Sequence, residues 1–346
     1  MTPKERWLAV LNREKPDRLP MAYWATGETT QKILAHLDCG TGDEMFQRLH
    51  IDKIAGVGPK YVGPPIPEGE DQFGCRFEPI NYGGGVYSEC VHNPLNQYET
   101  LDEIKANYTW PSPDWCDYSH LKDQLEGNED YPVQGGGSEP FLTYKNLRGM
   151  EQAFVDLILE PEIAHFCLDK LFGLAYEMTR RTFEQVPGKV NLCYVAEDFG
   201  SQEDLMYSPE QIREFFVPRM KRMIDLAHQA GAYVIHHSDG AVRKILPDMI
   251  EIGIDILNPI QWRCPGMERE GLKRDFGDNV IFHGGMDNQY TLPFGSEDEV
   301  RQEVKDNIEL LGPDGYILAP CHAMQVLTPP ENVIAMYETG YEYGKT

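Results

Sequence analysis

From residue 131 to the C-terminus, short apolar runs alternate with stretches of helical period, and this rhythm constrains the fold more than any other feature. Strands are expected at 132–136, 190–196, 232–235, 254–258, 280–283 and 315–319. Helices are expected between 137 and 184 and at 209–230, 242–252, 268–276, 297–311 and 330–343. The helix at 209–230 is bounded by Ser208 as N-cap and Gly231 as stop. Two further strands precede these, at 18–24 and 51–57, after an opening helix that carries Pro3, Trp7, Leu8 and Leu11. A helix at 30–37 lies between them. Strand followed by helix, repeated about eight times, predicts a parallel sheet covered on both faces and closed into a distorted (β/α)8 TIM barrel.

Segment 58–130 breaks the rhythm. Pro, Gly and aromatic residues dominate it, and 76–80 with 85–91 read as a hairpin. It has too few apolar residues for a core of its own, so it is read as an elaboration covering one side of the barrel mouth, with 1–346 forming one domain. The clusters Gly83-Gly84-Gly85 and Gly135-Gly136-Gly137 lack the Lys-Ser/Thr of a phosphate loop and read as turns. No GxGxxG follows an early strand, so a dinucleotide fold has no support.

Composition narrows the partners. A net charge of −25 opposes nucleic acid and anionic membrane surfaces. No apolar run reaches the length of a membrane span. The charged start, Met1 to Arg6, has no signal-peptide core after it, and the chain reads as cytoplasmic. None of the eight cysteines forms a CxxC pair, so they read as reduced thiols.

In a barrel the chemistry sits at the C-terminal ends of the strands. There the sequence places Glu197 and Asp198, then His236, His237 and Asp239, then Asn258 and Gln261, then His283 and Asp287, and finally Cys321 and His322. His237 and Asp239, two apart in an extended segment, can face the same way. With His322 or Cys321 from the last strand they make three ligands, the number a catalytic zinc uses with one position left open. Other divalent metals suit the same nitrogen and oxygen set. The duller alternative is that Asp239 caps the helix beginning near Gly240.

The chain resembles the uroporphyrinogen decarboxylase superfamily along nearly its whole length. The resemblance is carried by Arg18-Leu19-Pro20, by Ala196 to Gln202 before Ser208-Pro209-Glu210, by His237-Ser238-Asp239-Gly240, by Ile254 to Pro259, by His283-Gly284-Gly285-Met286-Asp287 and by Thr328 to Val333. It implies a distorted TIM barrel and one of two chemistries. True decarboxylases use arginines near the first strand and an Asp after the second. Here those places read Tyr23 to Glu28 and Ile54 to Gly58, with neither.

The other branch, cobalamin-dependent methyltransferases, places zinc ligands as His-x-Cys after the fifth strand and Cys after the eighth. Here His237 keeps its place, Asp239 replaces the first Cys, and His322, beside Cys321, falls near the last. The resemblance therefore implies zinc on His237, Asp239 and His322, with Cys321 as substitute. It implies Glu197, Asp198 and His283 as acid–base groups, and Tyr23, Trp24, Asn258 and Gln261 as substrate contacts, with Tyr82 and Tyr87 as further aromatics. Such hard ligands match an oxygen-containing substrate such as an aryl methyl ether, with a corrinoid on a partner protein taking the methyl group. A barrel that binds without catalysis is the non-enzymatic alternative, and a homodimer is one option for assembly.

Overall fold

Alternation with a period of two decides which side chains line the inside of the sheet. In a computed structural model, which describes residues 1–82, 85–312 and 314–346, eleven strands are seen among the described residues. They are β1 (Ala55–Val57), β2 (Lys60–Tyr61), β3 (Arg76–Asn81), β4 (Val86–His92), β5 (Cys116–Asp117) and β6 (Val133–Ser138), followed by β7 (Leu192–Ala196), β8 (Tyr233–His237), β9 (Ile256–Asn258), β10 (Ile281–Met286) and β11 (Tyr316–Pro320). Seven form one parallel sheet in the order β1-β6-β7-β8-β9-β10-β11. Helices connect the successive strands from β6 onward, so the architecture is α/β with a curled parallel sheet, consistent with a distorted TIM barrel.

The concave side of the sheet holds an apolar layer of Leu192, Ile235, Ile256, Ile281 and Ile317, closed from below by Trp7 and Val10 of the first helix. Each such buried side chain contributes about 1.5–3 kcal/mol. The opposite parity, including Cys193, Val234, Leu257, Phe282 and Leu318, packs against the helices in a larger core.

The expected first strand is present as an extended segment rather than a full ladder. Met21 bridges Leu318 of β11 and Ala25 bridges Met324, both in parallel. Its other edge is held by Asp52, whose backbone N–H donates to the Met21 carbonyl at 2.8 Å. Asp52, buried, accepts from the Met21 N–H at 2.9 Å and binds the Arg6 and Arg18 guanidinium groups.

Three other expectations change. The Gly135–Gly137 cluster is not a turn. It lies inside β6, where the register with β7 shifts between Gln134 and Gly137. Gly137 has φ 124°, and a Cβ there would sit 1.8 Å from the Tyr194 carbonyl oxygen, so only glycine permits that approach. Of the other triple-glycine cluster, Gly83 and Gly84 lie outside the described residues. The helix expected over 209–230 contains a π-helical stretch at Ile212–Phe216 ahead of Val217–Gln229. Pro218 explains it, because an α-helical turn there would drive the ring into a carbonyl. Finally, the helix expected from 242 begins at Leu246.

The hairpin read at 76–91 is observed as antiparallel β3 and β4. Beside its tip, the Tyr82 hydroxyl donates to Gln325 Oε1 at 3.0 Å, on the loop that follows β11. Among the described residues, no helix is long and apolar enough to cross a membrane.

Candidate metal and substrate site

On β8, parity turns His236 and His237 to opposite sides. His236 faces the helices, its Nδ1 is 2.9 Å from the Val195 carbonyl, and burial lowers its pKa to about 4. It is a packed, neutral imidazole. His237 faces inward, where its Nδ1 donates to Asn258 Oδ1 at 2.6 Å. The Asn258 amide in turn donates to His283 Nδ1, also at 2.6 Å. This relay places the His237 proton on Nδ1 and leaves the Nε2 lone pair free. Burial, then the neighbouring His237, lowers the His283 pKa to about 3, so His283 is neutral as well.

Asp239 is held by the packing of two loops. Its backbone N–H donates to Asp198 Oδ1 at 3.2 Å, and Ala241 N donates to the Ser201 carbonyl at 2.8 Å. Between them Gly240, at φ 81°, passes so close that a Cβ would meet Ser201 O at 2.2 Å. The Gly240 N–H donates to Gln261 Oε1. Gln261, expected to touch substrate, spends its acceptor bracing this turn. Asp239 does not cap a helix either, since the nearest begins at Leu246.

His322 arrives on the loop after β11. One ligand atom from each of His237, Asp239 and His322 lies within 4.8 Å of the others. His237 Nε2 is 3.8 Å from Asp239 Oδ1, and His322 Nε2 is 3.9 Å from Asp239 Oδ2. These gaps exceed hydrogen bonds. They match ligands that share an ion at about 2.0–2.2 Å from each. Asp239 Oδ1 is buried and has no hydrogen-bond partner, a costly state for a carboxylate unless something cationic meets it. The donors therefore fit a divalent metal. Burial raises the Asp239 carboxyl and lowers the His322 imidazole from their ordinary values.

Cys321 does not join this group. Its thiol donates to the Ile260 carbonyl at 3.1 Å, and burial holds its pKa well above the usual thiol value, which disfavours the thiolate that a metal requires. Of the two neighbours that the sequence left open, His322 faces the other ligands.

Three carboxyl groups lie around the cluster. Asp198 Oδ1 lies 3.9 Å from His237 Nε2. Glu197 is fully buried and accepts from the Phe141 N–H at 3.3 Å, at the start of the helix Pro140–Arg148. Burial, then Glu139, holds its carboxyl well above the ordinary value. Its partner is thus a helix terminus rather than the ligand group. Glu139, at the end of β6, was missed in the sequence. Burial, then Asp198, raises its carboxyl too, while His237 pulls the other way. Its signal was a carboxylate just past a strand end, obscured because the strand was expected to stop at Gly136.

Beneath the ligand group lies a cavity of about 310 Å³. Trp24 lies across its mouth, with its ring centroid 4.4 Å from that of His322 and 5.6 Å from that of His237. Tyr194 lines it with its ring centroid 5.8 Å from His237. Asn258, His283 and Gln134 complete the polar part of the wall. Tyr23 borders the cavity, but its ring packs against Phe46 and Tyr337 and its hydroxyl is 2.9 Å from Thr30 Oγ1. Tyr87 is exposed on the hairpin. Asp287 is paired with Arg263 at 2.6 Å. A larger cleft of about 460 Å³ between Trp262, Arg269 and Phe294 contains none of the ligand residues.

The parallel α/β sheet is shared with known proteins. The chain belongs to the uroporphyrinogen decarboxylase (URO-D) family, whose model matches residues 73–343. It is 26% identical over 212 residues to the uroporphyrinogen decarboxylase of Hordeum vulgare, covering 60% of this chain and 57% of that protein. The match thus spans little more than half the length of that relative. Against the uroporphyrinogen decarboxylase of Anaeromyxobacter dehalogenans (strain 2CP-C), identity is 26% over 361 residues, covering 98% of this chain and 99% of the other. Among solved structures, one described as a methyltransferase from Methanosarcina mazei superposes with a TM-score of 0.67 at 20% identity, covering 99% of both chains, and shares the fold.

Proposed function

We propose that this chain moves a methyl group from a small O-methylated compound, a methoxyarene being the type, to a corrinoid cobalt carried by a partner protein, with zinc held by His237, Asp239 and His322. The observation that carries this reading is the buried, unpartnered Asp239 Oδ1 between two imidazoles with free Nε2 atoms. A divalent cation there supplies Lewis acidity to the oxygen that departs from the methyl group. Nitrogen and carboxylate ligands, with no thiolate among them, suit an oxygen donor better than a thiol.

The protein's own groups do the rest. Trp24 offers a ring face to an aromatic substrate beside His322. Asp198 holds the Asp239 backbone, and the Asn258 relay holds the His237 ring. A corrinoid docked by its partner would supply Co(I) as the two-electron nucleophile that accepts the methyl carbon, and the C–O electron pair would stay on the substrate oxygen. A proton then neutralises that oxygen, and Glu139, held more readily protonated than an ordinary Glu, is the nearby acid.

The same reading takes segment 20–25 as the eighth stave of one distorted (β/α)8 barrel spanning 1–346. The hairpin covers part of the mouth, as the Met21–Leu318 bridge and the Tyr82–Gln325 hydrogen bond support.

The relatives named uroporphyrinogen decarboxylase favour the alternative, decarboxylation of a porphyrinogen. Against it, the described cavity wall carries no arginine or lysine to meet a polycarboxylate. One experiment separates the two. Zinc-loaded protein is mixed with Co(I) corrinoid and methoxyarenes, and methylation is followed by the change in cobalt absorbance. Turnover is expected. No turnover with methoxyarenes, methanol or methylamines, alongside carboxylate loss from a porphyrinogen, overturns the proposal.

A further inference from the structure

The floor of the cavity carries polar groups but no charge to match an anion. Gln134 is on β6 in register with Leu192, whose side chain belongs to the inner apolar layer. Its side-chain amide borders the cavity and makes no hydrogen bond within the described protein. The Tyr194 hydroxyl and the His283 Nε2 likewise have no protein partner. Because His283 accepts from Asn258 through Nδ1, its remaining nitrogen carries the proton and acts as a donor. The floor thus offers an amide, a phenol and an N–H, all neutral, beneath an indole face. Among the described residues lining the cavity there is no lysine or arginine.

We propose that this cavity selects an uncharged, hydroxyl-bearing small aromatic ring and rejects the carboxylated counterpart. The inference rests on the methyl-transfer reading for its orientation, in which the methoxyl oxygen lies at His237, Asp239 and His322. The far side of the ring then meets Gln134, Tyr194 and His283. A ring hydroxyl finds donors and acceptors there that are otherwise unmatched. A carboxylate at the same place, away from the ligand group, is buried with no lysine or arginine beside it. Discrimination on the order of tenfold to a hundredfold follows for one uncompensated buried charge.

The test is direct binding to zinc-loaded protein near neutral pH, measured by calorimetry with 4-methoxyphenol, 4-methylanisole and 4-methoxybenzoate. These rings differ only in the group para to the methoxyl, which is a hydroxyl, a methyl or a carboxylate. The expected result is that 4-methoxyphenol binds at least as tightly as 4-methylanisole, with 4-methoxybenzoate about tenfold weaker than either or worse. Gln134→Lys, which places a cation on the floor, is expected to recover 4-methoxybenzoate binding and weaken 4-methylanisole. Binding of 4-methoxybenzoate as tight as that of 4-methylanisole in the unaltered protein overturns the inference, whatever the variant does. If none of the three binds while the cobalt assay shows turnover of another methyl donor, the inference fails and methyl transfer stands. If the two neutral rings bind and 4-methoxybenzoate does not, yet no methyl reaches cobalt, the charge filter stands and the reaction is wrong.

Discussion

Asn258→Leu tests the relay under the ligand group with little change in volume. The substitution removes two hydrogen bonds of 2.6 Å, one from His237 Nδ1 and one to His283 Nδ1. His237 is buried and His283 partly so, and each is left with an unmatched polar atom, at about 1–3 kcal/mol apiece. The folded protein should therefore lose about 2–5 kcal/mol in urea unfolding. Metal affinity should fall about 10–100-fold, because nothing then keeps the His237 proton on Nδ1 or fixes the ring. Asn258→Asp separates position from packing. Its oxygen still accepts from His237, so zinc affinity should stay within about threefold of the original even if stability falls. Both affinities are read by competition with a chromophoric zinc chelator, and the His237 tautomer by nitrogen-15 shifts. The reasoning fails if the folded Leu variant keeps its zinc affinity within about twofold, or if the Asp and Leu variants lose it equally.

Other outcomes follow from particular contacts. Asp239→Asn should abolish zinc binding yet leave the metal-free protein as stable as before or more so, since a buried unpartnered carboxylate oxygen is replaced by a neutral amide; elemental analysis beside urea unfolding reads both. Asp52→Ala leaves the buried Arg18 guanidinium without a carboxylate, while Arg6 keeps Asp17, and should cost about 3–5 kcal/mol in the same unfolding assay, a loss under about 1 kcal/mol being the contrary result. His228 Nε2 lies 2.8 Å from Asp255 Oδ2, and this bond raises the imidazole pKa. A raised folded pKa means that the stabilising contribution is complete below the ordinary His value and vanishes as pH rises through the folded one. Wild type should thus exceed His228→Gln by a few tenths of a kcal/mol in acid, the pair being half exposed, and by nothing in base. A gap that widens with pH would contradict the assignment.

The strand and helix rhythm was legible because β-strand parity and helical period are local properties. It located every strand of the parallel sheet and put His237 and Asp239 on one rim. What the sequence left open, or misassigned, depends on contacts between distant segments. Cys321 and His322 are adjacent, and only the approach of Ile260 to the thiol decides between them. Asn258 and Gln261 both read as substrate contacts. One joins two histidines and the other braces Gly240, because neighbouring strands deliver the partners. Glu139 and Gln134 escaped notice for a different reason. The bulge at Gly136 and Gly137 disguises where β6 ends and which of its residues face inward. The segment expected as the first strand, 18–24, meets β11 and the loop after it through isolated bridges near Met21 and Ala25, and the Asp52 carboxylate takes the Met21 N–H that a full ladder would have used.

That substitution has a structural consequence. The same short segment is fastened to β11 and to the loop after it at Met21 and Ala25, and Trp24 lies between those fastenings. The Trp24 carbonyl accepts from the Met324 N–H at 3.0 Å, two residues past His322. The indole and the third ligand residue therefore travel on one bonded unit, so any change in how segment 20–25 pairs reaches the aromatic wall and His322 together.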